Sequence, residues 1–291
     1  MGGETDRRAC ASEVNGWNLP IGGREVNYMP GRRSLWVFDF DGTLSPIVAD
    51  RNEARLPREC ERMLRFLERS PWNRVAVLSS RTLDDIVPRV PVPGVFVGGA
   101  NGLEWLLPGG HRVGPGTASE TLLAVKRRAV SPILKEMASI PGVEIEDKRW
   151  SVAVHFRNAS PRSFRRRVSL LQRLRSRKGI KVFQGPEVVE VQLLGGGGKS
   201  AGVRRLCRLA DWNLGRERIV YAGDDDNDAV AIRWVLSKGG AGIVVGNRIA
   251  LPQARHVEDP AGLVRAVREF AEDFTIREMV NAREGSAWPR S

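Results

Sequence analysis

Two carboxylates stand two residues apart at the end of an apolar run. Residues 36–44 read Trp-Val-Phe-Asp-Phe-Asp-Gly-Thr-Leu. Alternation along a strand turns Asp39 and Asp41 to the same side. Buried carboxylates are costly unless they are paired or hold a cation, and a cation plus a phosphoryl group would meet that need. A second acidic group follows another apolar run, where Arg218-Ile-Val-Tyr-Ala222 leads into Gly223-Asp-Asp-Asp-Asn-Asp228. An acidic N-cap explains one or two carboxylates at a helix start. It does not explain Asp224, Asp225, Asp226 and Asp228 together. Hard oxygen ligands that leave water on the ion suit magnesium. Lys199 follows a glycine run, and Ser79 lies in Leu78-Ser-Ser-Arg81 after a third apolar run. Taken alone, each has a plain reading: a solvated lysine at a helix start, and a serine helix cap. The run Gly195-Gly-Gly-Gly-Lys199-Ser200 shares its end with a phosphate-cradling P-loop, but that pattern needs glycine where Leu193 stands. The glycines fit a hinge instead.

The elements around these residues follow from periodicity. Leu35–Phe40, Arg74–Leu78, Val95–Val97, Ile219–Ala222 and Ala241–Val245 read as buried strands. Cys60, Met63, Leu64 and Leu67 recur at helical spacing within Pro57–Arg69. A short helix spans Thr82–Val87, and further helices Lys199–Leu209, Asp228–Leu236 and Pro260–Phe270. Strands alternating with helices predict an α/β, Rossmann-like doubly wound parallel sheet. Such sheets gather ligands at the carboxyl ends of their strands, which is where the aspartates and Ser79 fall. Between Leu107 and Leu194 the pattern changes to αββαββ, an inserted α+β cap domain. The expected division is an N-terminal tail at 1–33, a core at 34–106 and 196–280, a cap at 107–195 and a C-terminal tail at 281–291.

A chain of 291 residues can bury a sizeable core, and its 42% hydrophobic and 27% charged content is ordinary for a soluble globular protein. No apolar stretch approaches the roughly 20 residues that span a bilayer, and residues 1–30 show no apolar signal region. Cys10, Cys60 and Cys207 are too few and too scattered for a disulfide framework or zinc site. The expected location is the cytoplasm. The net charge of +12 favours anionic substrates and permits nucleic-acid contact along the basic Arg162–Lys178 face. That face fits an ordinary helix exterior better, without interleaved aromatics to stack bases.

The four groups occur in one order: Asp39-Phe-Asp41-Gly-Thr-Leu44, Leu78-Ser-Ser-Arg81, Lys199, and Gly223-Asp-Asp-Asp-Asn-Asp228. In this order they resemble the motifs of the haloacid dehalogenase-like (HAD) phosphohydrolases, over roughly Leu35 to Gly246. The resemblance implies that Asp39 is a nucleophile forming an aspartyl-phosphate, with Asp41 as general acid and then base. Ser79 and Lys199 would bind the phosphoryl group. Asp224 would ligate Mg2+ with Asp39 and the Asp41 backbone carbonyl. Asp228 would orient a metal-bound water, and Asp225 would be an alternative ligand. Thr43 and Arg81 would contact substrate.

A finer resemblance is to trehalose-6-phosphate phosphatases. It is carried by Asp147-Lys148-Arg149-Trp150-Ser151-Val152-Ala153-Val154-His155-Phe156-Arg157 and by Gly185-Pro186-Glu187-Val188-Val189-Glu190-Val191. It implies a cap that closes on the sugar, with Lys148, His155, Arg157 and Glu190 on the substrate and Asn101 in the adjoining loop. Four positions depart from that pattern. Gln192-Leu193 replaces a basic residue and proline, Asn101 a histidine, and Asn227 a threonine. The implied substrate is a small-molecule sugar phosphate, trehalose 6-phosphate first. Glucosylglycerol phosphate, mannosyl-3-phosphoglycerate and sucrose 6-phosphate are alternatives. No membrane or nucleic-acid partner is implied, and the oligomeric state stays open with a monomer favoured.

Overall fold

The computed structural model describes residues 32–185, 187–194 and 198–285. Most of the expected N-terminal tail, the Gly195–Gly197 hinge and residues 286–291 lie outside the described residues. The chain begins with β1 (Ser34–Phe38), α1 (Arg58–Glu68), β2 (Asn73–Leu78), α2 (Leu83–Ile86) and β3 (Phe96–Gly99). Two short strands follow, β4 (Glu104–Leu106) and β5 (Arg112–Val113). The inserted segment supplies α3 (Thr117–Ala138), β6 (Glu144–Asp147), β7 (Ser151–His155), α4 (Phe164–Arg175), β8 (Lys181–Gln184) and β9 (Val188–Gln192). The core resumes with α5 (Lys199–Leu209), β10 (Arg218–Gly223), α6 (Asp226–Ser237), β11 (Ala241–Val245), β12 (Arg255–Val257) and α7 (Pro260–Gly285).

Eight strands form the first sheet in the order β12-β11-β10-β1-β2-β3-β4-β5. It is parallel from β12 to β3, and β4 and β5 add an antiparallel hairpin at the edge. The centre pairs β1 with β10, in register Ser34↔Arg218 to Phe38↔Ala222. Alternate residues of β1 enter opposite cores, as a strand buried on both faces requires. Trp36 and Phe38 pack with Met63, Leu64 and Leu67 of α1 and Leu263 of α7. Leu35 and Val37 pack with Val203 and Leu206 of α5 and Ile232 and Val235 of α6. The second sheet runs β6-β7-β9-β8, all antiparallel. Its apolar face, Val152, Val154, Val189 and Val191, packs on Ile133 and Met137 of α3 and on Leu170 and Leu174 of α4.

Two boundaries differ from the sequence reading. A cap beginning at 107 cuts off β5, whose Arg112 and Val113 pair with Leu106 and Trp105 in the core sheet. Two residues of an exposed edge hairpin carry no periodic signal of their own. The last helix does not stop at Phe270, and a C-terminal tail from 281 overlaps it, because α7 continues to Gly285. Its second half packs Phe274 against Trp36 and Phe270, with ring centroids 5.8 and 6.0 Å apart.

Candidate active site

Two strand ends and two helix starts converge. Asp39 follows β1 directly and is 3% exposed, its amide donating to Ala222 O at 2.9 Å. Asp224 follows β10 and is 5% exposed; Asp228 lies in the first turn of α6 and is fully buried. Lys199 opens α5 and is also buried. Its Nζ lies 2.6 Å from Asp39 Oδ1 and 2.7 Å from Asp228 Oδ1. Two carboxylates thus flank one ammonium, and the nearby Asp224 adds further negative charge. Ligand oxygens of Asp39, Asp224 and Asp228 all lie within 4.8 Å of one another.

The turn after β1 makes this convergence possible. Gly42 has φ +85°, and a Cβ there would lie 2.3 Å from Asp224 Oδ2. Only glycine admits both the left-handed backbone and the approach of Asp224. Thr43 is buried beneath it and donates to Asp224 Oδ1 at 3.4 Å. Asp228 is fixed by three donors besides Lys199: Tyr221 OH at 2.7 Å and the amides of Asp224 and Asp225, each at 3.2 Å.

The charges are strained by burial. Burial pushes Asp39 up to about 7 even though Lys199 beside it pulls the other way. Burial, then repulsion from Asp39, raises Asp228 to about 8, and burial with Asp228 nearby raises Asp224 to about 6. For Lys199 burial opposes the charge, but Asp228 and Asp39 outweigh it and hold the lysine above its ordinary range. A cluster of hard carboxylate oxygens with excess negative charge fits a small divalent cation.

Each remaining expected residue has a definite place. Asp225 caps α6: its Oδ1 accepts from the Asp228 amide at 2.9 Å, and the Asp228 carboxylate accepts from the Asp225 amide in return. It is outside the three-carboxylate group, so of the two aspartates the sequence left competing, Asp228 is the one in that group. Asp226 is exposed. Ser79 is buried, and its hydroxyl accepts from the Arg81 amide at 3.1 Å.

Arg81, expected to contact substrate, lies inside the protein. Its side chain is fully buried. Its guanidinium grips both oxygens of Asp41, at 2.7 and 2.6 Å, and also reaches Asp85 at 2.7 Å and Arg51 O at 2.5 Å. These contacts commit the guanidinium to the protein, with Asp41 held by two parallel bonds. Asp41 itself is the open carboxylate of the group, its side chain 40% exposed. Arg51 continues the chain of contacts by pairing with Glu146 of β6 at 2.7 Å, which ties the core to the second sheet.

On the polar face of that second sheet, Lys148 Nζ lies 3.1 Å from Glu190 and His155 lies 3.3 Å from Glu146. Ser151 Oγ donates to Glu190 as well. Lys148, His155 and Glu190 therefore share one face. Arg157 stands apart from Lys148 and Glu190, 77% exposed and paired with Glu187 at 3.0 Å. It lines, with Glu144, His155 and Glu187, a cleft of about 580 Å3 at the end of the sheet. The basic Arg162–Lys178 stretch contains α4, where Arg173 pairs with Glu136 of α3.

Sequence reasoning passed over two residues that reach the site. Arg248 Nη1 lies 3.5 Å from Asp224 Oδ2. Nothing in its surroundings, Gly246-Asn-Arg-Ile249, marks it. Asn227 bonds both Asn101 and the Lys199 amide; in sequence it was visible only as a departure from a resembling pattern.

A doubly wound sheet with acidic strand ends, a buried lysine and an inserted α+β unit defines a HAD-like α/β architecture. The fold of the C-terminal domain of Candida albicans trehalose-6-phosphate phosphatase matches it, with a TM-score of 0.66, 21% identity and coverage of 81% of this chain and 92% of that one. In sequence, the trehalose-phosphate phosphatase of Mycobacterium bovis (strain BCG / Pasteur 1173P2) is 35% identical over 247 residues, covering 78% of this chain and 55% of the relative. That of Mycobacterium leprae (strain TN) is 34% identical over 167 residues, covering 56% and 38%. This chain thus spans about half the length, or less, of these curated relatives. A family model described as trehalose-phosphatase matches residues 37–255, and the chain belongs to that family.

Proposed function

We propose that this chain is a cytoplasmic, magnesium-dependent phosphatase that hydrolyses trehalose 6-phosphate to trehalose and phosphate. The observation that carries the reading is the Asp39–Lys199–Asp228 cluster with Asp224 beside it, in a chain of the trehalose-phosphatase family. Asp39, Asp224 and Asp228 would hold Mg2+, which supplies charge neutralisation for the phosphoryl oxygens. Asp39 Oδ attacks phosphorus and the P–O bond to the sugar breaks. Asp41 gives its proton to the departing sugar oxygen. Water then attacks the aspartyl-phosphate, Asp41 takes a proton from it, and Asp39 is regenerated with release of phosphate. Lys199 opposes the burial that favours the protonated form of the attacking carboxylate, and holds that carboxylate in place. Ser79 sits beside the phosphoryl group. Arg81 aligns Asp41, which frees an oxygen from that grip to act on the sugar. The second sheet, with α3 and α4, acts as the cap, and Lys148, His155 and Glu190 meet sugar hydroxyls.

Phosphate release with Mg2+ tests this on trehalose 6-phosphate, sucrose 6-phosphate, glucosylglycerol phosphate, mannosyl-3-phosphoglycerate and glucose 6-phosphate. Preference for trehalose 6-phosphate, lost in Asp39→Asn and on chelation, is the expected result. Preference for another member overturns the substrate, and full activity in Asp39→Asn overturns the nucleophile.

A further inference from the structure

The amide of Lys199 is one of the orphan donors at the start of α5. Gly198, at the cap position, has no side chain to accept from it. Asn227 of α6 does so instead, through Oδ1 at 3.3 Å. A backbone N–H can only donate, so this contact fixes which end of the Asn227 amide faces α5. The Nδ2 end is then turned outward, and it donates to Asn101 Oδ1 at 3.2 Å. The same logic passes one step further. Asn101 must present its oxygen to Asn227, which leaves its own Nδ2 with two hydrogens that no described residue accepts.

Asn101 is held firmly where this matters. It occupies the left-handed region at φ 58°, and its amide donates to Ser79 O at 2.8 Å. Its carbonyl lies against α5, where a Cβ added to Gly202 would meet it at 2.4 Å. The residue therefore sits between the Ser79 loop and the helix that carries Lys199, and its neighbour Ala100 packs in the apolar core of the inserted unit. The carboxylates around Asn227 are acceptors, and Asp228 accepts from Lys199, Tyr221 and two amides. A free N–H pair at this place suits an anionic oxygen of a ligand.

We propose that Asn227 is a positioning residue: it orients the Asn101 amide so that Asn101 Nδ2 donates to a phosphate oxygen of the ligand. The proposal rests on the reading of this cleft as a phosphate-ester site. Asn227→Asp keeps an acceptor for the Lys199 amide but can no longer donate. Asn101 then turns its amide over to donate to the new carboxylate, and presents its oxygen where the donor stood.

The test is a double-mutant cycle of Asn227→Asp and Asn101→Ala, with Asn227→Ala as a variant that adds no charge. Two readouts are taken in Mg2+: the Kd of inorganic phosphate by calorimetry, and kcat and KM on trehalose 6-phosphate. Asn227→Asp should weaken phosphate and raise KM by the same factor, about tenfold, which is 1.4 kcal/mol. The kcat should change much less. On the Asn101→Ala background, either Asn227 substitution should add little. Charge repulsion alone would persist on that background, and a purely structural role would lower kcat and the unfolding midpoint with phosphate affinity unmoved. Multiplying effects, unchanged phosphate affinity in Asn101→Ala, or a wild type that does not bind phosphate would each overturn the proposal. A wild type that binds phosphate with the expected cycle yet leaves trehalose 6-phosphate intact would keep this proposal and remove the substrate assignment. Turnover of that substrate with an additive cycle would do the reverse.

Discussion

Replacing Gly42 by alanine separates two costs that usually arrive together. The backbone there has φ +85°, and an L-residue in the left-handed region costs about 1–2 kcal/mol. Gly239, just past the end of α6, has φ +75° with nothing within 4 Å of an added Cβ. Gly239→Ala therefore measures the backbone cost alone, about 1 kcal/mol. At Gly42 the new methyl would also sit 2.3 Å from Asp224 Oδ2 and 2.5 Å from Asp224 Cγ. No Cβ tolerates that, so the carboxylate must swing away. Overpacking of this kind adds about 1–3 kcal/mol, and the Thr43 hydrogen bond to Asp224 goes with it. Gly42→Ala should thus cost about 2–5 kcal/mol. It should also weaken divalent-cation binding at least about tenfold, since one of three candidate ligands is displaced. Urea unfolding of both variants in chelator gives the stabilities, and Mg2+ titration of the folded proteins gives the affinities. Equal destabilisation of the two variants, with cation affinity unchanged, would refute the argument that Gly42 exists to let Asp224 approach.

Stability should also depend on pH in a direction the buried carboxylates dictate. Asp39 and Asp228 are raised to about 7 and about 8. The native state therefore holds protons that the unfolded chain releases near pH 4. Without metal, stability should fall as pH rises from about 4 to about 8. A urea midpoint in chelator no lower at about pH 8.5 than at about pH 5.5 would contradict this. Mg2+ should restore more stability at the upper end, because its ligands must be deprotonated. Arg81→Met leaves the Asp41 and Asp85 carboxylates and the Arg51 carbonyl without their shared donor. Both carboxylates are about a third exposed or more, which discounts the loss to about 1–3 kcal/mol. Arg81→Lys should recover only part of it, since an ammonium cannot grip Asp41 with two parallel bonds; a cost under about 0.5 kcal/mol for Arg81→Met would remove Arg81 from this role.

Local pattern made the frame of this protein legible. The α1 spacing of Cys60, Met63, Leu64 and Leu67 predicts a helix that the structure has at Arg58–Glu68, with those four residues buried. The αββαββ order of the insert is α3, β6, β7, α4, β8 and β9. Apolar runs ending in aspartate led to the gathered carboxylates, because strand ends in a parallel sheet lie along one edge. What could not be read was pairing at long range. Arg81 sits next to Ser79 in a motif that suggests substrate, yet its partner Asp41 is 40 residues away. Asn101 and Asn227 are 126 residues apart, and each is unremarkable until the other is placed. The two-residue β5 and three-residue β12 escaped notice because so few, mostly exposed residues carry no alternation.

The β1–β10 ladder has a consequence for how the chain folds. Ser34 and Arg218 are direct neighbours at the centre of the sheet, with the entire inserted unit between them in sequence. A nascent chain that has completed β1, β2 and β3 still leaves one long edge of β1 open. That edge stays open until the insert has been made and β10 arrives. Contacts of this separation are slow to form, and an open, apolar strand edge invites pairing with the wrong chain. The insert has its own apolar core in α3, α4 and the second sheet. If it condenses early, the distance that β10 must close shrinks from a long loop to the span between the two linkers. The inserted unit would then act, during synthesis, as the brace that brings the two halves of the central sheet together.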